Sequence, residues 1–278
     1  MSIRKLAHII NPVAVKESSD LFIAQPITFE SMRVAKQFAD GAVEVAQYTA
    51  QYSEDRPIIP EWYVQTPDLD RSVQNLGSFQ VPRKLPLIGD ILNRLYEASD
   101  AEYFIYTNVD IALLPSFYTA VNTIIDAGYD AFIINRRTLP AHYRRIEELP
   151  LMYADIGQSH PGYDCFVFRR EAVPHFLLGA VCIGVPKIGV TLAANMVCFA
   201  RRFREFGELH LTFHIGDDGT WRRHGVNEYF NYNKMEGEKI LNTLAPRFDI
   251  QNLPKVDMPN LAAYFEWLKA GRGRPVGS

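Results

Sequence analysis

The sequence predicts an α/β protein with a mostly parallel central sheet and helices on both faces, and three observations carry that expectation. Apolar runs of strand length alternate with helical repeats through the first half of the 278 residues, the pattern of βαβ units. Polar residues (Asn11, Asn108, Asp110 and Asn135) stand where such runs stop, and open parallel sheets bind ligands beyond the carboxyl ends of their strands. A hydrophobic content of 47%, with 12% aromatic residues, is enough to bury a substantial core.

Leu6–Ile10 reads as the first strand. A helix over Phe29–Phe38 and a second strand over Val43–Ala46 complete a βαβ unit. A charged, proline-containing loop, Ser53–Pro60, precedes a short strand at Trp62–Val64 and a turn at Thr66–Asp68. Ile88, Ile91, Leu92, Leu95 and Tyr96 repeat at helical spacing, and Ser99-Asp100 ends that helix just before the strand beginning at Tyr103. That strand stops on Asn108-Val109-Asp110, where alternation puts a carboxamide and a carboxylate on one face above the sheet. A terminus of this kind suits a divalent cation. Pro115 fits the first turn of a helix whose stripe is Phe117, Val121, Ile124 and Ile125 and whose stop is Gly128. Ala131–Asn135 is the next strand.

The second half is less regular. Arg136–Met152 is polar, and Asp155–Asp164 is a glycine-bracketed loop entering the strand Cys165–Phe168. A helix over Thr191–Phe203 and a strand over Leu209–Phe213 lead to a polar turn, His214-Ile215-Gly216-Asp217-Asp218-Gly219-Thr220-Trp221. Asn260 can cap a last helix with Leu261, Phe265 and Leu268 on one side and Gly271 at its end.

With 29 Lys and Arg against 32 Asp and Glu, a net charge of −3 provides no global attraction to nucleic acid or an anionic membrane. Three cysteines without a CxxC spacing argue against a disulfide framework or structural zinc and for a reducing, cytoplasmic setting. The apolar stretch after Met1 is too short for a secretory signal, and the apolar region from Val173 to Phe203 is broken by Gly184, Pro186, Lys187 and Gly189 before reaching the roughly 20 residues of a membrane span. Walker and dinucleotide loops, a GxSxG elbow and an HExxH helix are all missing, which counts against ATPases, NAD enzymes and common hydrolases.

The helix feeding an apolar strand that ends in Asn108-Val109-Asp110, the glycine-containing loop before Cys165, and the late His214-x-Gly216 turn together resemble the GT-A fold of glycosyltransferases, the nucleotide-diphospho-sugar transferase superfamily. The similarity runs over roughly Leu6–Trp221. It implies a single catalytic domain over 1–270, with a nucleotide-binding half at about 1–135, an acceptor- and metal-completing half at about 136–250, a C-terminal helix at about 260–270 and a flexible tail at 271–278. The implied activity is a metal-dependent transfer, of hexosyltransferase type, from a nucleotide-sugar, with a UDP-sugar favoured, to a hydroxyl acceptor. By this resemblance Asp110 and His214 are ligands of Mn²⁺ or Mg²⁺. Asn11, Asn108, Arg83, Lys84 and Asn135 are donor contacts, and His160, Tyr163 and Trp221 are acceptor contacts. Asn108 replaces the family's first carboxylate. Gly219 and Thr220 stand where the family's His-x-Gly-x-x-Lys-Pro-Trp segment has Lys and Pro, so a phosphate-binding lysine is missing there.

The chemistry is coherent without the family name. A nucleotide diphosphate leaves readily only once its charge is neutralised, and a cation held by oxygen ligands does this. Oxocarbenium character at the reacting carbon calls for a carboxylate nearby, and Asp164 is the candidate, as the base of an inverting transfer or a sugar-hydroxyl ligand of a retaining one. Each assignment has a plainer competitor. Asp110 can cap the helix near Pro115, and His214 can bond within a core turn, sharing a strand face with His210 and Thr212. Asp164 can satisfy loop amides, and Asp217 and Asp218 can shape a turn. Arg83-Lys84 and Arg136-Arg137 are diphosphate clamps or solvated faces. Tyr143, Tyr153, Tyr163 and Trp221 can stack on a base or sugar, or simply pack. Two other functions fit the layout: a nucleotidyltransferase, although Ala14-Val15-Lys16 lacks that class's glycine-rich basic loop, and a degenerate, non-catalytic carbohydrate- or nucleotide-binding protein.

Overall fold

The computed structural model describes residues 3–215 and 227–247. Its strands are β1 (Lys5–Ile10), β2 (Glu44–Thr49), β3 (Val64–Gln65), β4 (Tyr103–Thr107), β5 (Ile111–Leu113), β6 (Ala131–Ile134), β7 (Arg137–Thr138), β8 (Gln158–Ser159), β9 (Cys165–Arg169), β10 (Phe203–Phe206) and β11 (Thr212–His214). The helices are α1 (Leu21–Phe38), α2 (Ile88–Ala98), α3 (Phe117–Asp126), α4 (Leu149–Ala154), α5 (Ile188–Phe199) and α6 (Asn227–Leu244).

Seven strands form the main sheet in the order β10-β6-β9-β4-β1-β2-β3. Every neighbouring pair is parallel except those made by β9, which runs antiparallel between β4 and β6. Alternation sends β1 side chains to opposite faces: Ala7 and Ile9 join one core with α2 and α5, while Leu6 and Ile10 join another with α1 and α3. Helices on both faces follow directly. A second sheet, β5-β11-β7-β8, stands at the carboxyl ends of β4 and β6. It draws together the segments just after Asp110, Arg136 and Asp155 and the one ending at His214.

Several elements differ from the sequence reading, each for a physical reason. Helix α1 begins at Leu21, eight residues before the predicted start at Phe29. Its inner face carries Ala24, Gln25, Thr28 and Ser31 among the buried positions, so a count of large apolar residues misses it. Two of those polar residues are paired: Gln25 exchanges bonds of 2.9 Å with both the N–H and the carbonyl of Val13, and Ser31 Oγ accepts from Leu113 N at 3.0 Å, whereas the buried Thr28 Oγ1 has no hydrogen-bond partner among the described residues. Phe203 belongs to β10 and not to the preceding helix, which ends at Phe199. The strand was hidden because Glu205 lies on its buried side, where it accepts from Asn135 Nδ2 at 2.7 Å. β2 extends to Thr49, β3 shrinks to two residues, and β11 is shifted to 212–214. The polar segment 136–152 contains β7 and the start of α4, and α6 was not predicted. The helix predicted after Asn260, the tail, and the turn residues Gly216–Trp221 lie outside the described residues.

Among the described residues no helix is long and apolar enough to cross a membrane. Cys165, Cys182 and Cys198 are free thiols.

Candidate functional site

The site grows from the end of β4. Ile111 N bonds Asn108 O at 3.1 Å, closing a turn that breaks strand alternation. Asn108 and Asp110 therefore do not share a face as the strand pattern predicted; each finds different partners. Asp110 meets His214: the ladder between β5 and β11 pairs Ile111 with His214, and His214 Nε2 lies 3.3 Å from Asp110 Oδ2 with side-chain exposures of 9% and 28%. Burial by itself raises the Asp110 carboxyl pKa. The hydrogen bond and charge of His214, with the charge of Arg136, outweigh it and hold the group below its ordinary value.

Asn108 turns the other way. Thr107 pairs with Cys165 across the antiparallel ladder, so Asn108 and Asp164 are the next opposed residues, and Asn108 Nδ2 donates to Asp164 Oδ1 at 3.0 Å. The Tyr106 hydroxyl donates to Asn108 Oδ1 at 3.0 Å. Burial, then the charges of Asp110 and Asp164, push the Tyr106 pKa up, so the hydroxyl keeps its proton as a donor. Asp164 Oδ2 accepts from Arg136 Nε at 2.6 Å, and Arg136 is only 7% exposed.

Sequence reasoning treated Arg136-Arg137 as one unit, but neighbouring strand residues face opposite ways. Arg136 enters the site. Arg137 binds the carbonyls of Ile156 and Gly157 instead. That loop requires glycine twice. At Gly157, with φ +60°, a Cβ would come within 2.6 Å of the Thr138 carbonyl oxygen; at Gly162 it would come within 2.6 Å of the His160 ring and 3.1 Å of Asp164 Oδ2. His160 Nδ1 accepts from Gly162 N at 2.9 Å, and Tyr163 packs beside Gly189 in the first turn of α5. His160, Tyr163 and Asp164 thus form one loop rim.

The remaining predicted residues have partners within the protein. Asn11 Nδ2 donates to the Ala50 carbonyl at 2.5 Å. Asn135 donates to Glu205, while its buried Oδ1 has no hydrogen-bond partner among the described residues. Lys84 pairs with Glu54 and lies 3.9 Å from the Tyr52 ring centroid, and Arg83 N donates to the Tyr229 hydroxyl at 2.7 Å. Trp221 lies outside the described residues.

Two ligands in neighbouring octahedral positions, with bonds of about 2.1 Å, stand about 3 Å apart, so the Asp110–His214 spacing fits a shared Mn²⁺ or Mg²⁺. Among the described residues no group of three or more His, Cys, Asp or Glu could hold a metal.

No family model and no curated protein matches the chain. Solved structures do. Residues 1–349 of TarS from S. aureus, crystallised with UDP-GlcNAc, superpose with a TM-score of 0.52 at 9% identity, covering 97% of this chain and 74% of that one. Another crystal structure of that fragment gives 0.52 at 10%, covering 97% and 73%. Glucosyl-3-phosphoglycerate synthase from Mycobacterium tuberculosis, crystallised with Mn²⁺, UDP-glucose and phosphoglyceric acid, gives 0.46 at 16%, covering 91% and 82%. At such identities the likeness to TarS is one of fold alone: the described residues have the GT-A fold.

Proposed function

We propose that the protein is a metal-dependent glycosyltransferase of hexosyltransferase type, moving a sugar from a nucleotide-diphospho-sugar to a hydroxyl acceptor on a glycan, a lipid-linked saccharide or a small molecule. The observation that carries the proposal is the pairing of Asp110 Oδ2 and His214 Nε2, 3.3 Å apart, at the carboxyl rim of the sheet, where such folds bind ligands. Over a hundred residues separate the two in sequence. Support also comes from the fold shared with TarS, itself crystallised with UDP-GlcNAc, which makes a UDP-sugar the donor to try first.

In this reading Asp110 and His214 hold Mn²⁺ or Mg²⁺. The bound ion supplies Lewis-acid neutralisation of the diphosphate leaving group. Asp164 places carboxylate charge beside the reacting carbon, and Asn11, Asn108, Asn135, Arg83 and Lys84 are donor-side residues. His160, Tyr163 and Trp221 shape the acceptor side. The cytoplasmic setting inferred from cysteine usage stays part of the reading. A non-catalytic carbohydrate- or nucleotide-binding role is the second reading, favoured by one observation: both ends of the Asn108 carboxamide are engaged inside the protein, leaving Asp110 as the carboxylate of the Asn-x-Asp pattern that meets His214.

Calorimetry with UDP-GlcNAc, UDP-glucose and other nucleotide-sugars, with and without Mn²⁺, tests the proposal. Metal-dependent binding followed by sugar release to an acceptor supports transfer. Binding without turnover on any acceptor moves the protein to the second reading, and absence of nucleotide binding rejects transfer and leaves only the carbohydrate-binding form of the second reading. Binding of a nucleoside triphosphate with pyrophosphate release would show a nucleotidyltransferase instead.

A further inference from the structure

Asn108 is held in one orientation. A carboxylate only accepts, so the Asn108 amide nitrogen must face Asp164, which leaves Oδ1 to accept from Tyr106. The line continues: Arg136 Nε donates to Asp164 Oδ2 at 2.6 Å and its Nη1 to Thr138 Oγ1 at 2.9 Å. Thr138 is the ladder partner of His214. One run of hydrogen bonds, Tyr106–Asn108–Asp164–Arg136–Thr138, therefore joins the end of β4, two residues before Asp110, to the strand beside His214.

We infer that this run is a strut that sets the spacing of Asp110 and His214, with Arg136 its positioning residue, and that residue 108 is Asn because a carboxylate there would face Asp164. The functional consequence rests on the metal-dependent reading above; the strut itself does not. With Asp at 108, two like charges would stand at the present 3.0 Å separation, in a setting where solvent screens them poorly. The N–H that ties Asp164 to β4 would also be lost. Arg136 is not replaceable by Lys, because two of its nitrogens serve two partners in a planar fork.

The test uses the full chain carrying Asn108→Asp, Asp164→Asn, the two combined, or Arg136→Lys. Two quantities are read: Mn²⁺ binding in the presence of UDP, and the urea midpoint without metal. Asn108→Asp should weaken Mn²⁺ binding by about tenfold although it adds a carboxylate, and should lower the midpoint. The combined variant rebuilds every bond with the roles exchanged, so it should return binding to within about threefold of wild type and show a midpoint well above the sum of the single effects. Arg136→Lys should weaken Mn²⁺ binding by about tenfold. Tighter Mn²⁺ binding by Asn108→Asp would show residue 108 facing the cation and overturn the inference, as would additive midpoints. Unchanged Mn²⁺ binding in Arg136→Lys would remove Arg136 from the strut. If the wild-type chain binds no Mn²⁺ with UDP, the metal reading fails on its own and the metal-free midpoints alone decide the strut: non-additivity supports it and additivity rejects it.

Discussion

Two histidines, one in β1 and one in β11, separate scaffold from site. His8 is fully buried between neutral hydroxyls, with Nδ1 2.9 Å from the Tyr118 oxygen and Nε2 2.9 Å from Thr107 Oγ1. Gln47 donates to the same tyrosine oxygen at 3.1 Å. Burial pushes the His8 pKa down to about 3, and the ring stays neutral as a strut between strands. His214 sits at a rim beside a carboxylate that is partly open to solvent. The difference teaches that a histidine's role is set by the charge and solvent access of its partner and not by its place in a strand.

The contrast can be broken most severely at Asp110. Asp110→Ala should weaken Mn²⁺-dependent donor binding by about 100-fold, roughly 2.8 kcal/mol, while leaving the thermal midpoint within a few degrees of wild type; calorimetry and thermal unfolding check both halves. Retained donor affinity would remove Asp110 from the site.

The scaffold histidine gives the next largest effect. Its folded pKa lies below the unfolded 6.5, so the unfolded chain carries the extra proton between about pH 3 and 6.5, and His8 makes stability fall as the pH drops through that window. The slope is about 1.4 kcal/mol per pH unit. In His8→Gln, unfolding free energies from urea titrations at pH 5 and pH 7.5 should differ less than in wild type by roughly 2 kcal/mol. Equal differences in the two proteins would mean that His8 is protonated in the folded state.

Smaller effects sharpen the site side. His214→Ala should weaken Mn²⁺ binding by about tenfold, roughly 1.4 kcal/mol, since an imidazole nitrogen contributes less to a hard cation than a carboxylate. An effect larger than that of Asp110→Ala would reverse the ranking. Lys84→Ala should change donor affinity by less than about threefold, because an exposed ion pair such as that with Glu54 contributes little; titration of the variant with UDP-sugar measures it, and a tenfold loss would make Lys84 a direct donor contact.

Much of the fold was legible because the first half obeys simple rules. In β1, α2, β4, α3 and β6 large apolar residues follow strand or helical periods and stop at recognisable polar ends. What escaped was built from exceptions: the small and polar inner face of α1, the buried Glu205 in β10, and the two-residue strands β7 and β8, too short for any period to show. In the site, Asp110, Asp164 and His214 could be picked out by their places at strand ends. Arg136 could not be told from Arg137, since their opposite orientations depend on a strand of two residues.

The sequence alone determined most strands and helices of the first half, the start of α1, β3 and β5 apart, and that polar side chains end those strands, because burial periodicity and capping are local properties. Only the tertiary structure decided that Asn108 turns to Asp164 while Asp110 turns to His214, and that Arg136 goes inside. Those outcomes depend on the antiparallel register of β9 against β4 and on the small sheet that carries β11 to β5. Such pairings join residues some fifty to a hundred positions apart, and no local pattern encodes a register between strands that meet only when the chain has folded.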